Sequence, residues 1–138
     1  MQEDKAALVR EAFPRILSGD PAAVDQYIAS DCVRHDPDGR DVRGRHGAKL
    51  FIAALRRAFP DLTANVEDVI AEGDKVVLRY TATATHAGEY LGIAPTGRKV
   101  TYSGINIYRV RGGQIREAWQ LTDWLSLMEQ LGVTVSVG

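Results

Sequence analysis

Asp123 has the setting best suited to proton transfer. It follows a strand-like run that ends at Thr122 and stands four residues after Trp119. A carboxylate among aromatic rings is poorly solvated, its pKa rises, and it becomes a better base near neutral pH. The same position suits a structural task, because Asp is a favoured N-cap and a helical pattern begins at Trp124. His35, within HDPDG, and His86, at the exit of a strand, are candidate proton carriers or hydrogen-bond donors. Each of these also reads as a polar loop residue, as does His46. The histidine spacing matches neither HExxH nor a Cys/His finger. Cys32 is the one cysteine, has no nucleophile motif around it, and reads as a small buried hydrophobe. One cysteine makes no intrachain disulfide and excludes a zinc site with several Cys ligands. No metal ligand set is expected. The glycines form neither GxGxxG nor a Walker loop, so no nucleotide, flavin or nicotinamide cofactor is expected.

These residues need elements to position them. Residues 2–18 carry Ala7, Leu8, Ala12, Phe13, Ile16 and Leu17 at helical spacing, with Pro14 inside. Asp20-Pro21 predicts an N-cap and first helical residue, with a short helix through Val24, Tyr27 and Ile28. Residues 31–46 read as turn-rich, with a short strand at Cys32 and Val33. A helix is expected from Gly47 to Phe59, stopped by Pro60-Asp61. The remainder reads as strands: Val66 to Ile70, Lys75 to Thr85, Lys99 to Val110 and Ile115 to Thr122. A short helix over Trp124–Leu131 closes the pattern. Helices followed by an antiparallel meander predict one α+β domain over residues 1–138, with helices on one face of a curved sheet. Such a cone encloses a natural ligand pocket.

Gly112-Gly113 predicts a tight hairpin, since glycine accepts the positive φ angles of primed turns. If no bulge follows, Arg111 faces Gln114, Asn106 faces Trp119, and Tyr102 faces Asp123. One face then carries Tyr102, Gly104, Asn106 and Tyr108 with Glu117, Trp119, Leu121 and Asp123, which suits a cavity wall. The other carries Ile105 and Ile107 with Ala118, which suits a subunit interface or a partly exposed sheet. A bulge would exchange one strand's faces.

Basic residues number 17 and acidic residues 18, with no basic stripe, so nucleic-acid binding is not expected. No apolar run approaches a membrane span, and the charged, amphipathic start does not resemble a signal peptide. A cytoplasmic protein is the expectation.

Several ordered motifs carry a family resemblance: FPD (59–61), EGD (72–74), THAGEYLGIAPTG (85–97), GGQIREAW (112–119), Asp123 and QLG (130–132), with HDP at 35–37. Over roughly residues 51–132 the chain resembles the SnoaL-like polyketide cyclase (ester cyclase) family. That resemblance implies the cone-shaped α+β barrel shared with nuclear transport factor 2 and ketosteroid isomerase. It also implies ring closure by intramolecular aldol condensation without cofactor, on an apolar polycarbonyl substrate. The family's W-x-x-x-D pattern falls on Trp119 and Asp123, which makes Asp123 the expected acid/base. Its cyclases use a strand histidine near that aspartate, and on the corresponding strand face this chain offers Asn106. Trp119, Asn106, Tyr102 and Phe59 are the expected substrate contacts, with His35 and His86 as further catalytic candidates. Members are commonly dimers or tetramers, here expected through the sheet face. A hydroxylase or epoxide hydrolase on the same cone, or a non-catalytic small-ligand binding module, are the alternatives.

Overall fold

A computed structural model describes residues 4–134. The first two residues of the expected first helix lie outside that range. Helix α1 spans Lys5–Leu17 and runs through Pro14; Asp4 caps it by accepting from the Ala7 N–H at 2.9 Å. Helix α2, Pro21–Tyr27, starts as its Asp-Pro pair predicts, with the Asp20 carboxylate accepting from Ala22 N–H. Strand β1 is Ile28–His35 and β2 is Asp41–Arg43. Helix α3, Gly44–Ala58, precedes β3 (Thr63–Glu72), β4 (Lys75–Thr85), β5 (Lys99–Arg111) and β6 (Gln114–Thr122). Helix α4 is Trp124–Gln130.

The six strands form one open, curved sheet in the order β2-β1-β6-β5-β4-β3. Alternation along β4 and β5 decides which face is inside. Val76, Leu78, Tyr80, Ala82 and Ala84 are buried, as are Val100, Tyr102, Asn106 and Val110. Their neighbours along each strand point outward. Helices α1 and α3 cover the concave face, with Val9 and Ala58 fully buried in the cluster that contains the sheet's inward residues, while Ala12 packs with Ala23 and Tyr27 of α2.

Two features depart from the sequence expectation. The stretch 31–46 contains most of an eight-residue strand, which pairs with β6 in parallel rather than extending the antiparallel meander. The second departure concerns the hairpin. Gly112 and Gly113 have φ of 60° and 74°, and Arg111 pairs with Gln114 as expected. Val110 then pairs with Ile115 but Arg109 pairs with Glu117, so Arg116 is an extra residue on β6. This bulge overturns the expected facing. Asn106 pairs with Gln120, Gly104 with Thr122, and Ile107 with Trp119. Ala118, Gln120 and Thr122 therefore share the concave side with Asn106, while Glu117, Trp119 and Leu121 face outward with Ile105 and Ile107.

Candidate functional site: the interior of the cone

Apolar side chains of α1 and α3 and the inward residues of the sheet line a cavity. Phe13, Ile16, Phe51 and Leu55 form its helical wall. The sheet wall is more polar, with Tyr80, Tyr102, Asn106, Tyr108, Gln120 and Thr122. Tyr90 and Trp124 border it as well, their rings stacked at 5.8 Å between centroids. Burial pushes the phenols of Tyr80, Tyr90, Tyr102 and Tyr108 upward, so all four remain protonated donors. The Cys32 thiol also lines the cavity, and burial, reinforced by Asp31, pushes it up to about 11. That keeps it an inert thiol, as the sequence suggested.

Gly104 has a specific steric role. A methyl group there would collide with the Tyr80 ring lying across it, so the space belongs to Tyr80 and not to a ligand. Tyr80 Oη and Thr122 Oγ1 are 3.3 Å apart, and Gln120 Nε2 donates to the same Oγ1 at 3.3 Å. Asn106 Nδ2 donates to Tyr108 Oη at 2.8 Å. Asn106 is only 6% exposed, and its Oδ1 has no partner. A buried amide oxygen left unpaired costs about 1–3 kcal/mol, so a ligand that donates to it would recover that energy.

Among the described residues lining the cavity, Arg34 is the one charged side chain. Its Nε and Nη2 donate to the two oxygens of Asp36, each at 3.1 Å. Its guanidinium carbon sits 3.7 Å from the centroid of the Phe51 ring. The side chains of Arg34 and Asp36 are 16% and 22% exposed. Sequence reasoning missed Arg34, although period-two alternation from the buried Cys32 places it on the same inward side. Gln120 was missed because the bulge moves it inward.

The expected site residues divide. Tyr102 and Asn106 line the cavity as predicted. Asp123 does not: it is exposed, its Oδ1 accepts from Ser126 N–H at 3.1 Å, and it caps α4. The expected shelter between indole and phenol rings is absent because the bulge reverses the β6 faces. Trp119 borders the cavity, but its ring packs toward His35, Lys75 and Arg109. His35 also lies on that outer side, with Nε2 2.7 Å from Glu117 Oε2 and Nδ1 3.2 Å from Asp41 Oδ1. Its hydrogen bond to Glu117, more than that to Asp41, raises its pKa above 6.5. His86 is 0% exposed and is not part of the cavity wall. Thr96 N–H donates to its Nδ1 at 3.2 Å, so the proton sits on Nε2, which has no partner. Phe59 is fully buried behind Tyr90, 5.1 Å between centroids, and stays out of the cavity wall. Asp61 is committed elsewhere, accepting from both the N–H and the hydroxyl of Thr85 at 2.7 Å.

The fold and its chain order have counterparts among known proteins. Over 109 residues the chain is 27% identical to aklanonic acid methyl ester cyclase DnrD of Streptomyces peucetius, spanning 78% of this chain and 72% of that one. IdmH, a proposed polyketide cyclase from Streptomyces antibioticus, superposes with a TM-score of 0.83 at 33% identity, covering 95% of this chain and 100% of IdmH. AclR, a proposed hydroxylase from Streptomyces galilaeus, does so with a TM-score of 0.82 at 30% identity, covering 96% and 87%. SnoaL-like polyketide cyclase is the family that matches residues 7–131, almost all of the described structure. With the family match over nearly the whole described structure and the fold agreeing, this chain belongs to the SnoaL-like polyketide cyclase family.

Proposed function

We propose that the protein closes a ring in an apolar polycarbonyl molecule by cofactor-independent intramolecular aldol condensation. The observation that carries this reading is the cavity itself: apolar on its helical wall, with most of its hydroxyl and amide groups on the sheet wall and with Arg34 in its lining, bonded to Asp36, which stands outside the lining. An apolar wall folds a flexible chain, and the polar wall fixes its carbonyl and enol oxygens, which supports catalysis by positioning.

The reaction needs a base, and Asp36 is our assignment in place of Asp123. Each Asp36 oxygen accepts one hydrogen bond from Arg34 and keeps a lone pair. The acidic C–H bond breaks, its proton passes to Asp36, and the electron pair forms an enolate. The enolate carbon bonds to the internal ketone carbon, whose oxygen becomes an alkoxide. Asp36 then returns the proton to that alkoxide.

Deuterium exchange tests the assignment. A β-dicarbonyl probe bound in deuterated buffer should exchange its acidic C–H faster than in buffer alone. Asp36→Asn should slow this by ~10²–10⁴-fold, the usual worth of a general base. Asp123→Asn should leave it unchanged, because Asn caps a helix as well as Asp. Exchange lost in the Asp123 variant and kept in the Asp36 variant overturns the assignment; no exchange in the native protein leaves a binding module. The likeness to AclR favours hydroxylation as the second reading, and oxygen consumption during turnover would select it.

For partners, we propose a small-molecule substrate and a second copy of this chain. Ile105 and Leu121 stand opposite each other on the outer sheet face, with Ile107 two residues along the strand and Ile70 beyond it across Val77. A contiguous exposed apolar face of this kind suits self-association.

A further inference from the structure

Among the described residues, Leu91 is the one non-glycine residue in the left-handed region, with φ of 50°. A branched side chain is strained there. Gly92 follows with φ of 81°, so the two residues form the centre of a type I′ turn, where Asn-Gly is the unstrained choice. The surroundings hold Leu91 in that conformation. Tyr90 and Ile93 exchange both backbone hydrogen bonds, at 3.0 and 2.8 Å, and the Glu89 carboxylate accepts from Gly92 N–H at 2.6 Å. Below the turn, the N–H groups of Ala87 and Gly88 both donate to Ala58 O at 3.0 Å, and Gly88 lies so close to Arg57 O that no side chain fits there.

Leu91 is also 58% exposed, so packing within this chain does not offset the strain. Its position supplies a reason for it. Tyr90, the preceding residue, lines the cavity and stacks on Trp124. Trp124 lines the cavity and is still 36% exposed, and Leu125 after it is 54% exposed. A ring that meets both the cavity and water marks a mouth. The Leu91 Cα stands one step, ~3.8 Å, from that of Tyr90, within a leucine's reach of that mouth. Strain that persists at such a place points to function.

We propose that Leu91 is a specificity-determining residue that covers the apolar end of a substrate emerging between Tyr90 and Trp124, so that the protein favours substrates carrying a hydrocarbon extension over compact ones. This rests on the reading of the cavity as the substrate's chamber, and not on the aldol step. The rigid turn presents the side chain before the ligand arrives, so little conformational entropy is lost when the two meet. Leu91 has no polar side-chain atom, so the contact selects by apolar area alone.

The probes are 2-acetylnaphthalene and 2-octanoylnaphthalene, neutral ketones that differ only in alkyl length, with binding read by quenching of tryptophan emission. Whichever end of the longer ketone reaches the mouth is apolar. The native protein should bind the longer one more tightly. Asn is close to Leu in size and tolerates the left-handed region. Leu91→Asn should weaken the longer ketone roughly tenfold, the worth of half-burying a leucine, and leave the shorter within about twofold. The same variant should unfold at a higher urea midpoint, because the strain is relieved. Leu91→Met keeps an apolar side chain and should keep the native preference. Affinity lost while stability is gained is not what a packing role predicts. An unchanged ratio of the two affinities in Leu91→Asn, or a urea midpoint that fails to rise, overturns the proposal. Sedimentation of the native protein, but not of Leu91→Asn, with phosphatidylcholine vesicles also overturns it and makes the turn a lipid anchor. Native binding of neither ketone removes the chamber reading and the proposal together; binding of both with no response at position 91 removes the proposal alone.

Discussion

Asp123 and Asp36 show how differently one side chain can be used. Asp123 spends its carboxylate on the first turn of α4 and faces water. Asp36 is held against the one cation of an apolar cavity. Substituting Asp123 by Ala should lower stability by about 1 kcal/mol through the lost cap, read as a lower midpoint in urea, with exchange activity intact. Gly104→Ala should cost more, ~1–3 kcal/mol, because its methyl group must displace the Tyr80 ring from a packed wall. The same denaturation series measures both. Tyr102 and Asn106 were legible in the sequence because they sit on one strand, where alternation needs no partner. Asp123 and Trp119 were not, since their facing depends on pairing across a bulge that leaves no compositional mark.

At the level of elements, the helices follow from their caps and apolar spacing. Strands β3 to β6 follow from β-branched runs and glycine turns. Strand β1 was underestimated. Its polar sequence has little strand character of its own, and it is held in place by pairing with β6, more than eighty residues away in the chain. Beside that pairing sits the outer cluster of His35, Glu117 and Asp41. His35 has a raised pKa in the folded protein, chiefly through Glu117. Folding therefore favours its protonated form. The stabilisation is complete below the unfolded value near 6.5 and is lost as pH rises through the raised folded value. It is small, because the cluster is partly open to water. Melting curves of the native protein and His35→Gln should converge as pH rises from below 6.5 through the raised folded value; divergence would contradict the role of this cluster in fastening β1 to β6.

For the whole molecule, the curved sheet separates two environments. Its concave side is closed by helices, and its convex side leaves Ile105, Ile107 and Leu121 exposed. Leu121→Lys or Ile105→Asp should convert the proposed dimer to monomer, measured by sedimentation, while the cavity keeps its lining. A native protein that sediments as a monomer at every concentration would refute self-association. The two tryptophans sit differently on this divide. Trp124 borders the cavity in a stack with Tyr90, and Trp119, at the cavity's edge, turns its ring toward Lys75 and Arg109. Intrinsic fluorescence thus contains two gauges of separate events. Removing one indole at a time would let ultraviolet emission follow cargo entering the chamber through Trp124, and the meeting of two chains through Trp119, without any attached dye.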